Sequence, residues 1–170
     1  MRRLPLAGII TAAMVLLADQ ASKLAVTRGL RIDALGASRE IVSFFDLRFV
    51  PNYGISLGLL TADTNAARWL LVAMTGAIAV GVAIWMTREP RRGDRIALGM
   101  ILGGAIGNIA DRARVGYVID FADLHIGAWR PFLVFNVADA AITIGVLVLL
   151  VRAFLVRDKP GAAPVENINA

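Results

Sequence analysis

The chain has 170 residues, 58% of them hydrophobic, a mean hydropathy of +0.68 and a net charge of +5. That apolar share exceeds the ~45–50% of soluble domains, and the length allows one domain. The absence of cysteine excludes disulfides, thiol nucleophiles and thiolate metal sites, and a single histidine, His125, argues against a histidine metal centre or a Ser-His-Asp triad. The positive charge does not point to nucleic acid, because the basic residues stand at the ends of apolar runs, as in membrane proteins.

Arg2 and Arg3 precede the uncharged run Leu4–Ala18. A cleaved targeting segment is the bland reading, but no small-x-small cleavage site follows. The run continues into Asp19-Gln20-Ala21-Ser22-Lys23, where Asp19 and Lys23 share a helical face and can pair. A first span is expected over about 4–26. Residues 27–66 are mixed and read as a small platform on the membrane surface. Within it Glu40–Val50 reads as one or two short strands, and Pro51-Asn52-Tyr53-Gly54 as a turn. Phe44, Phe45, Phe49 and Tyr53 either contact lipid or pack the platform itself.

Trp69–Thr87 carries no charge and matches the ~20 apolar residues that cross a bilayer as helix. Trp69 and Trp85 stand near its ends, as interfacial aromatics do. A second span is expected over about 67–87. A basic loop, 88–95, leads to the third, about 96–114, in which Gly103 and Gly107 make a small-xxx-small face for close packing. Residues 115–130 read as a polar connection. The fourth span is expected over about 132–153, and a polar tail, 156–170, follows. The fold class is thus an all-α polytopic membrane protein, four transmembrane helices with a small β-platform between the first and second.

Half of the eighteen Lys and Arg crowd into the N-terminus, the 88–95 loop and the segment from Arg152 onward. The dense side is expected to be cytoplasmic, with both termini inside and the platform outside.

Two acids then lie near the outer face. Asp139 is the one charged residue of the run Pro131–Val151, and Asp120 precedes the loop that leads to it. An acid at such a depth is a functional-site hypothesis by default. Two carboxylates held close share a proton, so one can activate water while the other polarises a carbonyl. Such a pair needs neither metal nor cofactor. Asn136 is placed to cap the fourth helix, with Asp139 in its first turn, and a cap alone is the structural alternative. Asn108 and Arg112 share a face of the third span and can face the pair. Asp111 can serve as the ion-pair partner of Arg112. Asn52 and Gly54 can hold an extended backbone, or form only a turn. His125 reads as an incidental loop residue.

Several segments in order carry a resemblance. They are Asp19-Gln20-Ala21-Ser22-Lys23, Asn52-Tyr53-Gly54, the stretch from Gly103 to Arg112, Val118-Ile119-Asp120-Phe121, and the stretch from Phe135 to Ile142. In these the chain resembles the bacterial lipoprotein signal peptidases, signal peptidase II. The resemblance implies an aspartic endopeptidase of the cytoplasmic membrane that cuts diacylglyceryl-modified prolipoproteins before the lipid-bearing cysteine. It implies Asp120 and Asp139 as the catalytic pair. Asn52, Gly54, Asn108, Arg112, Asn136 and Ala138 would line the site, with Asp19 and Lys23 in support. Membrane lipid and globomycin-type inhibitors are the further partners it implies. One departure bears on the substrate edge: Ile55-Ser56-Leu57-Gly58 stands where the family has small residues and then an aromatic. The competing readings are a small proton-coupled transporter and a non-catalytic scaffold.

Overall fold

Four helices long and apolar enough to cross a bilayer form from the apolar runs. In a computed structural model, which describes residues 4–54 and 65–155, they are α1 (Leu6–Leu24), α2 (Asn65–Arg88), α3 (Arg92–Val115) and α4 (Val137–Leu155). A π-helical turn, Ala25–Gly29, prolongs α1. Most large apolar side chains on these helices are exposed, including Leu17, Ile78 and Leu147. That inversion of a soluble protein's surface is expected where lipid is the solvent. The departure at Ile55–Gly58 and the tail from 156 lie outside the described residues.

Small residues set the helix packing. On α3, Gly99 meets the backbone of Gly8 and Gly103 that of Ala12, both on α1. On a neighbouring face, a methyl group at Gly104 would stand 2.5 Å from the Ala138 carbonyl of α4. Between apolar helices in lipid, such backbone approach replaces the hydrophobic effect as the source of association. At the opposite end of the bundle from the platform, Arg152 of α4 pairs with Asp94 in the first turn of α3.

α3 stops at Gly116, whose φ of +94° suits a residue without Cβ and whose N–H bonds the Arg112 carbonyl at 3.2 Å. Arg68 of α2 takes the carbonyls of Arg112 and Ala113 at 2.6 and 2.7 Å. It thereby supplies donors to the carbonyls that a helix C-terminus leaves bare.

The platform is a three-stranded antiparallel sheet in the order β1 (Ser38–Val42), β2 (Phe45–Asn52), β3 (Val118–Leu124). Its strands cover and extend the expected Glu40–Val50 segment. Asn52 ends β2 rather than belonging to the turn, and Gly54 turns the chain at φ +103°. The expectation for 115–130 is corrected: β3 comes from this connection and lies beside β2, with Val50 opposite Asp120. So the sheet is not made from the segment between the first and second spans alone. β3 is also bridged on its far side, where Phe135 exchanges backbone hydrogen bonds with Ala122 at 2.8 and 3.1 Å. That bridge, with the cap at Asn136, starts α4 at Val137 rather than 132.

Val26, Ile32, Phe49, Phe121 and Ala122 form the core beneath the sheet. The larger of these side chains contribute about 1.5–3 kcal/mol each on full burial. Of the four platform aromatics, Phe49 packs this core and edges onto Tyr117, Phe45 packs against it, and Phe44 and Tyr53 are exposed. His125 lies in the loop just after β3. Its N–H bonds the Phe44 carbonyl, and its Nε2 lies 3.3 Å from Asp46 Oδ2.

Candidate active site

α3 presents different residues to its two neighbours because positions four apart share a helical face. Gly99, Gly103, Gly107 and Asp111 follow that spacing and look toward α1. Gly104, Asn108 and Arg112 look toward α4 and the sheet. Adjacent residues of a helix point about 100° apart, so Asp111 and Arg112 do not pair, which corrects that expectation.

Asp111 instead meets Lys23, whose Nζ lies 2.6 Å from Asp111 Oδ2 and 2.8 Å from Asp19 Oδ2. Asp19, Lys23 and Asp111 are 0%, 3% and 3% exposed. The third ammonium hydrogen is directed to Asn108 Oδ1 at 3.4 Å. Gln20 donates to both acids, at 3.1 Å to Asp19 and 3.0 Å to Asp111, and accepts from Arg114 at 2.9 Å. Gly107 makes room for this cluster, since a Cβ there would sit 2.6 Å from Asp19 Oδ2.

Both acids also bind backbone beyond the cluster, Asp19 through its second oxygen and Asp111 through the oxygen that Lys23 shares. Asp19 Oδ1 accepts the Ala138 N–H of α4 at 3.0 Å, and Asp111 Oδ2 accepts the Ile119 N–H of β3 at 3.3 Å. Each tethered residue immediately precedes one of the predicted acids in the chain.

Asp139 sits in the first turn of α4. Asn136 and Asp139 cap the helix reciprocally: the Asp139 N–H bonds Asn136 Oδ1 at 2.9 Å, and the Asn136 N–H bonds Asp139 Oδ2 at 3.3 Å. This is the capping-box arrangement. Asp139 Oδ1 accepts from Asn108 Nδ2 at 2.8 Å. Asn136 Nδ2 donates to Asp120 Oδ1 at 2.6 Å, so a single residue holds both acids. Asn52 Nδ2 holds the other oxygen of Asp120 at 3.0 Å, while Asn52 Oδ1 receives the Gly54 N–H at 2.9 Å.

Burial pushes the Asp120 carboxyl up to about 6. The Asn52 hydrogen bond opposes that rise, the charge of Asp139 adds to it, and the Asn136 bond and the Lys23 charge oppose it again. Arg112 is within electrostatic reach of Asp139, Asp120 and Asp111, and its buried Nε has no hydrogen-bond partner among the described residues.

Asp120, Asn52 and Gly54 line a groove of about 660 Å³ between β2 and residues 130–134. The ten predicted site residues fall into distinct places, and Asp139, Asn108 and Arg112 are half-buried and not among the residues lining this groove. Asn52, Gly54 and Asp120 border the groove. Asn136 and Ala138, 1% and 0% exposed, lie beneath it and act through hydrogen bonds. Asp19 and Lys23 lie deeper still. Gln20 and Asp111 belong to the same network but were not singled out for it. Asp111 continues the four-residue spacing of the glycines, which was the available signal.

A family model described as "Signal peptidase (SPase) II" matches residues 11–155. The chain belongs to the signal peptidase II family. It is 58% identical over 163 residues to a lipoprotein signal peptidase of Rhizorhabdus wittichii, covering 96% of this chain and 93% of that one. It is 56% identical over 159 residues to a lipoprotein signal peptidase of Sphingopyxis alaskensis, covering 94% and 91%. Two solved structures are similar in fold. Both are bacterial membrane enzymes determined by the in meso method, at 2.3 and 1.9 Å. They superpose with TM-scores of 0.72 and 0.74 at 26% identity, over 91% and 89% of this chain and 94% of each of theirs. As a signal peptidase II the chain is a protease of a bacterial membrane, and the transporter reading has no support.

Removing one member of a buried ion cluster leaves its partner charged and desolvated, at a cost of roughly 3–5 kcal/mol. Lys23→Met is therefore expected to lower stability by about that amount, measured by unfolding of the full chain in detergent. Adding Asp111→Asn is expected to recover part of the loss. A Lys23→Met protein as stable as the parent would show that the cluster does not hold the site together.

Proposed function

We propose that this chain removes signal peptides from diacylglyceryl-modified prolipoproteins, cutting before the lipid-bearing cysteine, with Asp120 and Asp139 as its catalytic pair. The observation that carries the reading is Asn136, which binds Asp120 through its side chain and Asp139 through its backbone and side-chain oxygen. The family membership supplies the reaction class.

The pair works with one proton between two acids. The ionised member takes a proton from a water, and that water attacks the scissile carbonyl. The protonated member donates to the carbonyl oxygen and so stabilises the tetrahedral intermediate. A proton then passes to the leaving amine, and the peptide bond breaks. The shared proton belongs to the pair, so neither acid is assigned alone as base. Arg112 faces the pair, where its charge offsets the negative charge that develops. Asn52 and Gly54 border the peptide path, and Asn108, Asn136 and Ala138 support it from below. Residues 1–155 form one membrane-embedded peptidase unit, and globomycin-type cyclic peptides occupy its groove.

The charge asymmetry supports an orientation with both termini cytoplasmic and the pair near the outer face of the cytoplasmic membrane. A lipid-anchored substrate then presents its scissile bond at the depth of the pair. A reporter fused after Arg92 is expected to read as cytoplasmic and one inserted at Ala34 as external. The reverse pattern would overturn the orientation.

Asp120→Asn and Asp139→Asn are each expected to cut the rate of cleavage of a lipidated precursor in liposomes by at least ~10²–10⁴-fold, the usual weight of a general acid or base. Both should keep the unfolding temperature within a few degrees of the parent (about 1 kcal/mol). Full activity in either variant would remove the pair from the mechanism.

The pH dependence follows from Asp120. Burial raises its carboxyl to about 6, so the pair loses its shared proton as pH rises through that value. The profile of kcat/KM is expected to fall on its alkaline side there. Asn52 donates to the ionised carboxylate and so favours it. In Asn52→Leu the protonated form gains, and the alkaline limb should move up by about one pH unit. A limb that moves down, or stays put, would contradict the role given to Asp120.

A further inference from the structure

The groove that holds Asp120 does not end there. Arg48 of β2 and Arg130 of the loop between β3 and α4 line it as well. Both side chains are nearly half exposed, at 46% and 43%. They share a single carboxylate, Asp123, whose Oδ2 lies 3.0 Å from Arg130 Nε and 3.8 Å from Arg48 Nη1. Asp123 is 0% exposed, so it anchors the arginines from beneath without itself facing the groove. Among the described residues Asp123 is the one acid within ion-pair distance of either guanidinium, since Asp46, opposite it across the strands, is turned to His125. The groove wall beyond Asp120 thus carries cationic heads facing outward, each able to bind a carboxylate bidentately.

The sheet supplies a ruler. Asp120 lies opposite Val50, and Arg48 is two residues from Val50 along β2. A bulge between Leu47 and Val50 bends the strand there, which leaves Arg48 roughly one to three residues of extended peptide, about 3–10 Å, from Asp120. On the reading proposed above, on which this inference rests, the signal-peptide side of the substrate lies in the membrane and the released side leaves along the platform.

We infer that Arg48 and Arg130 form a specificity subsite that favours acidic side chains at the second to fourth residues of the released chain, counted from the lipid-bearing cysteine as the first. The arginines touch neither the scissile bond nor the acid pair. They select among substrates by the charge of the emerging segment, and they steer its approach.

The test uses the full-length enzyme in zwitterionic vesicles with two synthetic diacylglyceryl precursors, which differ only in carrying Asp or Lys at positions two to four of the released chain. The expected ratio of kcat/KM, acidic over basic, is about tenfold, from a modest attraction in one and repulsion in the other. The difference should lie in KM more than in kcat. Raising salt from 0.15 to about 1 M should erode it, because both arginines are solvent-accessible. In Arg48→Gln/Arg130→Gln the ratio should fall to within about twofold of one, and Arg48→Lys/Arg130→Lys should restore most of it. The ratio is internal to each protein, so a loss of folded enzyme cancels. Equal cleavage of both precursors, a preference for the basic one, or a preference that survives in the double glutamine variant would each overturn the subsite. Failure to cleave either precursor would overturn the peptidase reading and this inference with it.

Discussion

A single buried ammonium organises the site. Lys23 lies between Asp19 and Asp111 in a bundle that excludes water, so all three charges depend on one another for solvation. Desolvated charges tolerate little displacement, and that makes the cluster a rigid reference point. Its value lies in the backbone that the two acids also hold. Asp19 fixes the start of α4 through Ala138, and Asp111 fixes the start of β3 through Ile119. The residues next in the chain are Asp139 and Asp120. A helix and a strand with no sequence proximity are thereby registered to the same point.

The approach of the helices makes that possible. Gly107 gives the Asp19 carboxylate its space, while Gly99 and Gly103 bring α1 against α3 higher along the same face. One face of α3 therefore serves packing and the buried cluster. The other face carries Asn108 and Arg112 toward the acids. The division follows from helical periodicity alone. It explains why neighbours in sequence, Asp111 and Arg112, take part in different networks.

Asn136 then joins the two halves. As the cap of α4 its oxygen is spent on the Asp139 N–H, which leaves its amide hydrogens free for Asp120. The Asn136–Asp139 spacing predicts a cap, and a cap with no chemistry is the alternative to an acid pair. The structure makes these roles compatible, because the group that ends the helix also bridges the acids. Asp120 itself was placed in a polar connection. Its strand was not legible there, because β3 has acids at both Asp120 and Asp123 and is buried at five of its seven positions. It shows no clean alternation, and its hydrogen bonds come from β2, which lies a long way back in the chain, and from Phe135.

What the sequence by itself determined is the set of properties that depend on local composition and period. Four apolar segments, the glycine spacing of α3, the Asn136 cap and the pairing of Asp19 with Lys23 all arise within a few turns of chain. Tertiary structure alone decided which partners the charged groups took: Asp111 with Lys23, Asp120 with Asn52 and Asn136, and two arginines with Asp123. A buried charge chooses its partner by proximity after the helices and strands have packed. That proximity is a property of the assembled bundle, and no local window of residues contains it.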